Sequence, residues 1–369
     1  MKKQLLVIYS AVALALSSCG GDYVPKDVPE TFVTFVKGLP ASPDKTIYFA
    51  ADQHKDSSDI TYKYFAYPNS NNGGYSVVFQ RCYNEGYSVL MQYKTFVCKD
   101  GEISEADNFL PVADVGLRIN SSKISEREAD YREFMAYCND NCSDLSEYVM
   151  VTDRPEVYAA PQNFFEGRDW SDRLGDLLQY NYFMDLYKWN GEKFVKHHRL
   201  ADLMASLPAT PDKPFYHWVE NHFNDEEMYS NLELYYAFPL KAGGYMGIYM
   251  QTGEPEGEAY FCRESTFVYA NGEFKKVDGV LPVPDISKLF NPKRSKRQDA
   301  LAEAVTDFFN ENPSKAINYH IQDNGDMYVD AAGNGILQWG EVFMGLMRAA
   351  VYKWDGEKFV FSTVKNPLD

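Results

Sequence analysis

Apolar residues recur along this chain at two spacings, and the spacing changes in a regular order. Alternation at period two marks Ile60 to Tyr67, Tyr75 to Cys82, Tyr87 to Cys98 and Glu102 to Phe109 as strands. The same pattern marks Leu232 to Phe238, Tyr245 to Gln251, Glu258 to Tyr269 and Glu273 to Val280. Tyr148 to Thr152 and Tyr319 to Gln322, followed by short strands through Val157-Tyr158 and Met327-Tyr328, lead into further hairpins. Helical spacing (i, i+3, i+4, i+7) appears in Tyr131, Phe134, Met135 and Cys138 after Ser125, and again in Leu301, Ala304, Val305 and Phe308. Ser42-Pro43 and Thr210-Pro211 read as an N-cap followed by proline in the first helical position. Helices are therefore expected after both, the second carrying Phe215, Trp218, Val219, His222 and Phe223 on its apolar stripe.

The turns between strands have their own signature. Asn/Asp-Gly-Glu occurs at Asp100-Gly101-Glu102, Asn190-Gly191-Glu192, Asn271-Gly272-Glu273 and Asp355-Gly356-Glu357. Asn-Gly and Asp-Gly suit the positive φ angles of type I′ turns, so Gly101, Gly191, Gly272 and Gly356 are read as hairpin tips. A two-residue loop at Asn190-Gly191 would pair Tyr187 with Phe194, and one at Asn271-Gly272 would pair Tyr269 with Phe274. The apolar phase then differs by one residue between the two hairpins, which implies packing on opposite sides or a bulge.

The order of these signals repeats. Leu39-Pro40-Ala41-Ser42-Pro43-Asp44-Lys45 returns as Leu207-Pro208-Ala209-Thr210-Pro211-Asp212-Lys213, and Thr95-Phe96-Val97 as Thr266-Phe267-Val268. Leu110-Pro111-Val112 returns as Leu281-Pro282-Val283, and Tyr187-Lys188-Trp189-Asn190-Gly191-Glu192-Lys193-Phe194-Val195 as Tyr352-Lys353-Trp354-Asp355-Gly356-Glu357-Lys358-Phe359-Val360. The expected fold is α+β and internally duplicated, in tandem units of one helix followed by an antiparallel four-stranded meander. The expected units are about 31–116 and 117–200 in a first domain (31–200), then 201–287 and 288–369 in a second (201–369). This layout is similar to the tandem helix-plus-four-strand arrangement of the β-lactamase inhibitor proteins. No motif is shared with them, so the likeness brings no functional residue with it.

The N-terminus reads as an address. Lys2 and Lys3 precede an apolar run from Leu5 to Leu16, and Leu16-Ser17-Ser18-Cys19 closes it with small residues before a cysteine. This resembles a bacterial lipoprotein signal with its lipobox. The resemblance implies that residues 1–18 are removed, that the sulfur of Cys19 carries a diacylglycerol and that its freed amine is acylated. The apolar run is shorter than the roughly 20 residues a spanning helix needs, so a lipid anchor is expected to supply the membrane affinity. Residues 19–30 would then be a flexible tether. Gly20 after the anchored cysteine leans toward the outer membrane of a bacterial cell envelope.

Composition narrows the partners. The net charge is −17, and removing Lys2 and Lys3 makes it more negative, so phosphate backbones are repelled and nucleic acid is not an expected partner. A basic protein or a cation is compatible with this surface. With 28 Tyr and 24 Phe, strands are favoured over helices as the main element. Beyond Cys19 there are Cys82, Cys98, Cys138, Cys142 and Cys262, an odd set that leaves one thiol over within a monomer. A local Cys138–Cys142 bridge stays open as a reading, and no Cys/His spacing suggests zinc.

No catalytic constellation emerges. His54, His197, His198, His217, His222 and His320 belong to no HExxH segment, and there is no nucleophile elbow, phosphate loop or dinucleotide fingerprint. Asp323-Asn324-Gly325-Asp326 with Asp330 departs from the EF-hand spacing and fits a tight turn equally well. Trp189 and Trp354 sit at matching places in hairpins and read as cross-strand packing. Trp170, between Asp169 and Ser171, is the tryptophan placed to meet a ligand. The expectation is a non-enzymatic envelope lipoprotein without cofactor or metal, binding a protein partner in an inhibitor-like manner. A carbohydrate-binding lipoprotein using Trp170 is the alternative, and an unrecognised hydrolase the third.

Overall fold

A computed structural model describes residues 28–55, 58–85, 88–119, 121–140, 146–161, 173–177, 183–224, 229–253, 261–293, 295–311, 317–331 and 348–365. The chain divides into two compact units, one running to Leu178 and taking in Met184–His197, the other formed by Gln179–Phe183 and His198–Asp369.

In the first unit helix α1 (Glu30–Lys37) precedes strands β1 (Ile47–Lys55), β2 (Ser58–Asn69), β3 (Gly74–Glu85), β4 (Ser88–Lys99) and β5 (Glu102–Glu105). Helix α2 (Glu128–Asp140) then leads to β6 (Ser146–Met150), β7 (Glu156–Pro161), β8 (Asp185–Trp189) and β9 (Phe194–Lys196). In the second unit α3 (Arg199–Ala205) precedes β10 (Tyr216–Asn224), β11 (Tyr229–Pro239), β12 (Tyr245–Gly253), β13 (Phe261–Ala270) and β14 (Glu273–Val277). Helices α4 (Ile286–Leu289) and α5 (Lys296–Glu311) lead to β15 (Ile317–Ile321), β16 (Met327–Ala331), β17 (Ala349–Trp354) and β18 (Phe359–Lys365). Among the described residues the fold is mostly antiparallel sheet: each unit holds one five-stranded and one four-stranded meander in chain order. No described helix is long and apolar enough to cross a membrane.

Two expectations about the opening of each unit are corrected. The segments after Ser42-Pro43 and Thr210-Pro211 are bends followed by strands β1 and β10, and the helices lie before them, at α1 and α3. Prolines at 40, 43, 208, 211 and 214 push the residues before them toward extended backbone. The runs that follow, Ile47-Tyr48-Phe49 and Phe215-Tyr216-His217-Trp218-Val219, are β-branched and aromatic, and a neighbouring strand is there to pair with them. The first meander of each unit therefore has five strands, not four. Gly38 caps the end of α1 and Ser206 that of α3, each directly before a Leu-Pro dipeptide.

Period two feeds two cores at once. In β2, Tyr64 and Ala66 face Phe32 and Val36 of α1 together with Val77, Phe79 and Phe96. Phe65 and Tyr67 point the other way, into a cluster with Tyr148, Val157, Tyr187 and Trp189 of the four-stranded sheet. All four residues Tyr64–Tyr67 are 0–1% exposed because both faces of the sheet are covered. Each such aromatic contributes roughly 1.5–3 kcal/mol by leaving water. The second unit is built alike: Tyr235, Ala237 and Phe267 meet Leu200 and Met204 of α3, while Phe238, Ile248 and Met250 meet Val305, Met327, Val329 and Tyr352.

The hairpin tips come in two lengths. Asp100-Gly101 (φ 52° and 82°) and Asn271-Gly272 (φ 55° and 79°) are two-residue turns with both residues left-handed, and Tyr269 pairs with Phe274. At Asn190-Gly191 the expected pairing of Tyr187 with Phe194 is not found. Trp189 pairs with Phe194 and Tyr187 with Lys196, across a four-residue loop. Its Asn190 side chain accepts the amides of Glu192 and Lys193 at 3.0 and 2.9 Å. Trp354 and Phe359 pair the same way across Asp355 to Lys358. Loop length accounts for the phase difference between the two hairpin types.

Candidate functional site

On the described surface of the first unit, α1 and β1 build a depression. Burial of Phe32 and Val36, four residues apart, sets the rotation of α1 and leaves Thr31, Thr34 and Phe35 flanking the sheet edge. β1 is an outermost strand of its meander. Its Phe49 pairs with Tyr64 and stacks on that ring at 5.5 Å, with Phe35 at 6.0 Å on the helix side. Thr31 Oγ1 and the Tyr64 hydroxyl are 2.7 Å apart, which ties the helix to the second strand; burial raises the Tyr64 phenol, with the Thr31 bond opposing. Glu30, Thr31, Thr34, Phe35 and Phe49 line a cavity of about 270 Å³. Phe49 is 41% exposed and Tyr48 36%, and Ala50 beside them is exposed as well. Three consecutive exposed apolar residues on an outer strand are unusual, since sheet edges are normally guarded by charge. The opposite edge follows that rule, with Glu102 and Glu105 on the four-residue β5.

The second unit carries a buried polar cluster on its helix-covered side. Glu233, 2% exposed, accepts hydrogen bonds from the hydroxyls of Tyr235 (2.7 Å) and Tyr249 (2.5 Å), and lies 3.4 Å from Gln251 Nε2. Glu220 is its cross-strand neighbour and is paired with Arg199 of α3. A buried carboxyl group held by two phenols and a side-chain amide has hydrogen-bond partners, and its bonds fix the approach of β11 to β12. No nucleophile accompanies it in these contacts.

The residues singled out in the sequence fall in several places. Cys19, Trp170 and Cys142 lie outside the described residues. Cys98 and Cys138 are buried thiols, pushed up by burial to about 12 and about 11. Trp218 is half-buried on strand β10, not on a helix, and His217 stacks on Phe215 at 5.7 Å. Asp323 to Asp326 form the turn between β15 and β16, where Gly325 has φ +80° and Asn324 donates to Asp326 at 3.1 Å. Asp330 is four positions further along the strand, about 13 Å away at the usual rise, and it faces His320 at 3.6 Å. Burial raises the Asp330 carboxyl and His320 opposes that shift. Phe49 and Glu233 were not singled out; the unbroken apolar run Ile47 to Ala51 was the available signal for the first, and nothing local marked the second.

No family model and no curated protein matches the chain. Among solved structures, a domain of an uncharacterized protein from Porphyromonas gingivalis W83 aligns at 11% identity over 40% of this chain and 82% of its own, with a TM-score of 0.25. A porin-like protein from Bacteroides uniformis ATCC 8492 aligns at 10% identity over 88% of this chain and 96% of its own, with a TM-score of 0.14. Likenesses this slight carry no argument about fold or function.

Proposed function

We propose that this protein is a non-enzymatic, lipid-anchored protein of the bacterial cell envelope that binds another protein, and that its body consists of two copies of one helix-and-sheet scaffold. The anchor reading rests on Lys2, Lys3, the apolar run and the Leu16-Ser17-Ser18-Cys19 box. The two-copy reading is supported by the ordered sequence matches and by contacts made at matching places. Trp189 Nε1 donates to Pro68 O and Trp354 Nε1 to Pro239 O; Tyr148 donates to Pro111 O and Tyr319 to Pro282 O.

The single observation that carries the binding role is the exposed Tyr48-Phe49-Ala50 segment beside the α1 depression. Many of the other described aromatic side chains of the first unit lie in its buried clusters. Affinity capture from detergent-solubilised envelopes with the native full-length protein tests it. Recovery of a specific protein is the expected result, and a profile identical to that of a bead-only control overturns it. Mass spectrometry of the native protein tests the anchor separately: a chain beginning at an acylated Cys19 is expected, and an unmodified chain beginning at Met1 excludes it.

A further inference from the structure

We infer that β1 and α1 form a groove that takes an extended peptide segment of the partner as an added strand, with one apolar side chain entering the depression between Phe35 and Phe49 and a cationic residue beside Glu30. This rests on the protein-binding reading above and names the mode by which the binding occurs.

β1 pairs with β2 along its entire length, from Ile47 opposite Ala66 to Lys55 opposite Ser58, and its other side is the end of the sheet order. A strand end of that length offers alternating backbone donors and acceptors, which match a polypeptide and not a sugar. Side chains of an added strand project alternately to the two sheet faces, so every second one on the helix side meets α1. The cavity of about 270 Å³ lies there, lined by Phe35, Phe49 and two threonines.

In the other unit the matching helix and edge strand are tied together. Phe32 and Val36 of α1 occupy the places of Leu200 and Met204 of α3, so Thr31 corresponds to Arg199. Phe49 opposite Tyr64 corresponds to Trp218 opposite Tyr235, so Ala51 corresponds to Glu220. Arg199 and Glu220 form an ion pair that straps α3 to β10, and Trp218 packs half-buried against the helix cluster. Thr31 is too short to form such a strap, and Phe49 stays 41% exposed. The edge strand of the second unit is thus strapped to its helix by an ion pair at a place where the first unit has Thr31.

Charge selects the segment. Glu30 sits exposed on the groove rim and the protein carries a net charge of −17, so a segment with basic residues next to its apolar ones is attracted and an acidic one repelled.

The test is selection of a phage-displayed library of random nine-residue peptides on the full-length protein, with counter-selection on Phe49→Lys and on Thr34→Trp, both at exposed positions. The expected winners alternate apolar residues at period two and include Lys or Arg. Their affinity for either variant should fall by on the order of tenfold to a hundredfold, the equivalent of one lost apolar anchor. Winners N-methylated at odd or at even backbone positions separate the modes, because strand addition loses affinity in one set and keeps it in the other. Equal tolerance of both sets overturns strand addition. Winners indifferent to both variants, or Phe49-dependent self-association in sedimentation with no peptide selected, also overturn it. If envelope capture recovers a partner that binds Phe49→Lys unchanged, the binding reading stands and this inference falls; if neither experiment recovers anything, both fall.

Discussion

The indole N–H of Trp189, at the end of β8, donates to the carbonyl oxygen of Pro68 on β2 at 2.6 Å. Beside it the amide of Ser70 donates to Gly191 O at 2.8 Å, and the ring of Tyr67 packs on Trp189 and Phe194 at 5.5 and 5.0 Å. The tip of the β8–β9 hairpin is thereby locked to the turn between β2 and β3 of the five-stranded sheet. In the second unit Trp354 donates to Pro239 O at 2.8 Å and Lys241 N to Gly356 O at 3.0 Å, with Phe238 packed on Trp354 and Phe359.

Trp189→Phe and Trp354→Phe should each destabilise their own unit by about 1–3 kcal/mol, since a proline carbonyl loses its donor and some ring packing goes with it. The measurement is the urea midpoint of each variant, with the slope unchanged. Costs that differ several-fold between the two would show that the locks are not equivalent.

Tyr67→Phe should leave stability unchanged or raise it by up to about 1 kcal/mol. The Tyr67 hydroxyl is buried and has no hydrogen-bond partner among the described residues, and its phenol is shifted far upward by burial. Phe238 already occupies the matching place in the second lock. A loss above about 1 kcal/mol would reveal a partner for that hydroxyl.

Gly244→Ala and Gly73→Ala separate backbone conformation from crowding. Gly73 has φ +72° with no atom within 4 Å of an added Cβ, so alanine there costs about 1–2 kcal/mol for the left-handed backbone alone. Gly244 has φ +85° and its Cβ would lie 2.3 Å from Tyr269 O, so its alanine variant should cost a further 1–3 kcal/mol or so. Equal thermal shifts for the two would mean that β12 and β13 can part at no cost.

Asp355 gives the second tip a pH dependence. Its carboxylate accepts the amides of Lys358 and Glu357 at 3.0 and 2.8 Å, and these bonds hold it below the ordinary value of 3.8. A depressed folded pKa favours the ionised form in the native state. Its stabilising effect is thus complete above the unfolded value and lost as pH falls through the folded one. Asn190 accepts the corresponding amides in the first unit without titrating. Asp355→Asn should therefore match the parent at pH 7 and lose less stability between pH 4 and pH 2, as read by denaturant midpoints. An identical acid profile for both would remove Asp355 from the account.

The strands through Tyr64, Tyr75, Phe96, Tyr235, Tyr245 and Phe267 could be read from alternation, and α2 and α5 from helical spacing, because these signals are properties of neighbouring residues. The opening helices could not be placed, since proline after Ser42 and Thr210 imitates a helix start while the aromatic run behind it is drawn into a sheet. Phe49 escaped notice for the same reason.

Local chemistry thus determined the central strands, α2 and α5, the glycine turns and the acidic, aromatic character of the chain, each being decided within a few residues. Tertiary structure alone decided that Trp189 reaches Pro68, that Asn190 opens a four-residue loop where Asn271 closes a two-residue one, and that Arg199 straps its helix to the edge strand while Thr31 bonds its own to Tyr64 of the next strand. Those outcomes depend on which distant surfaces meet, and the energy that selects them comes from burial and hydrogen bonds between segments that no window along the chain contains.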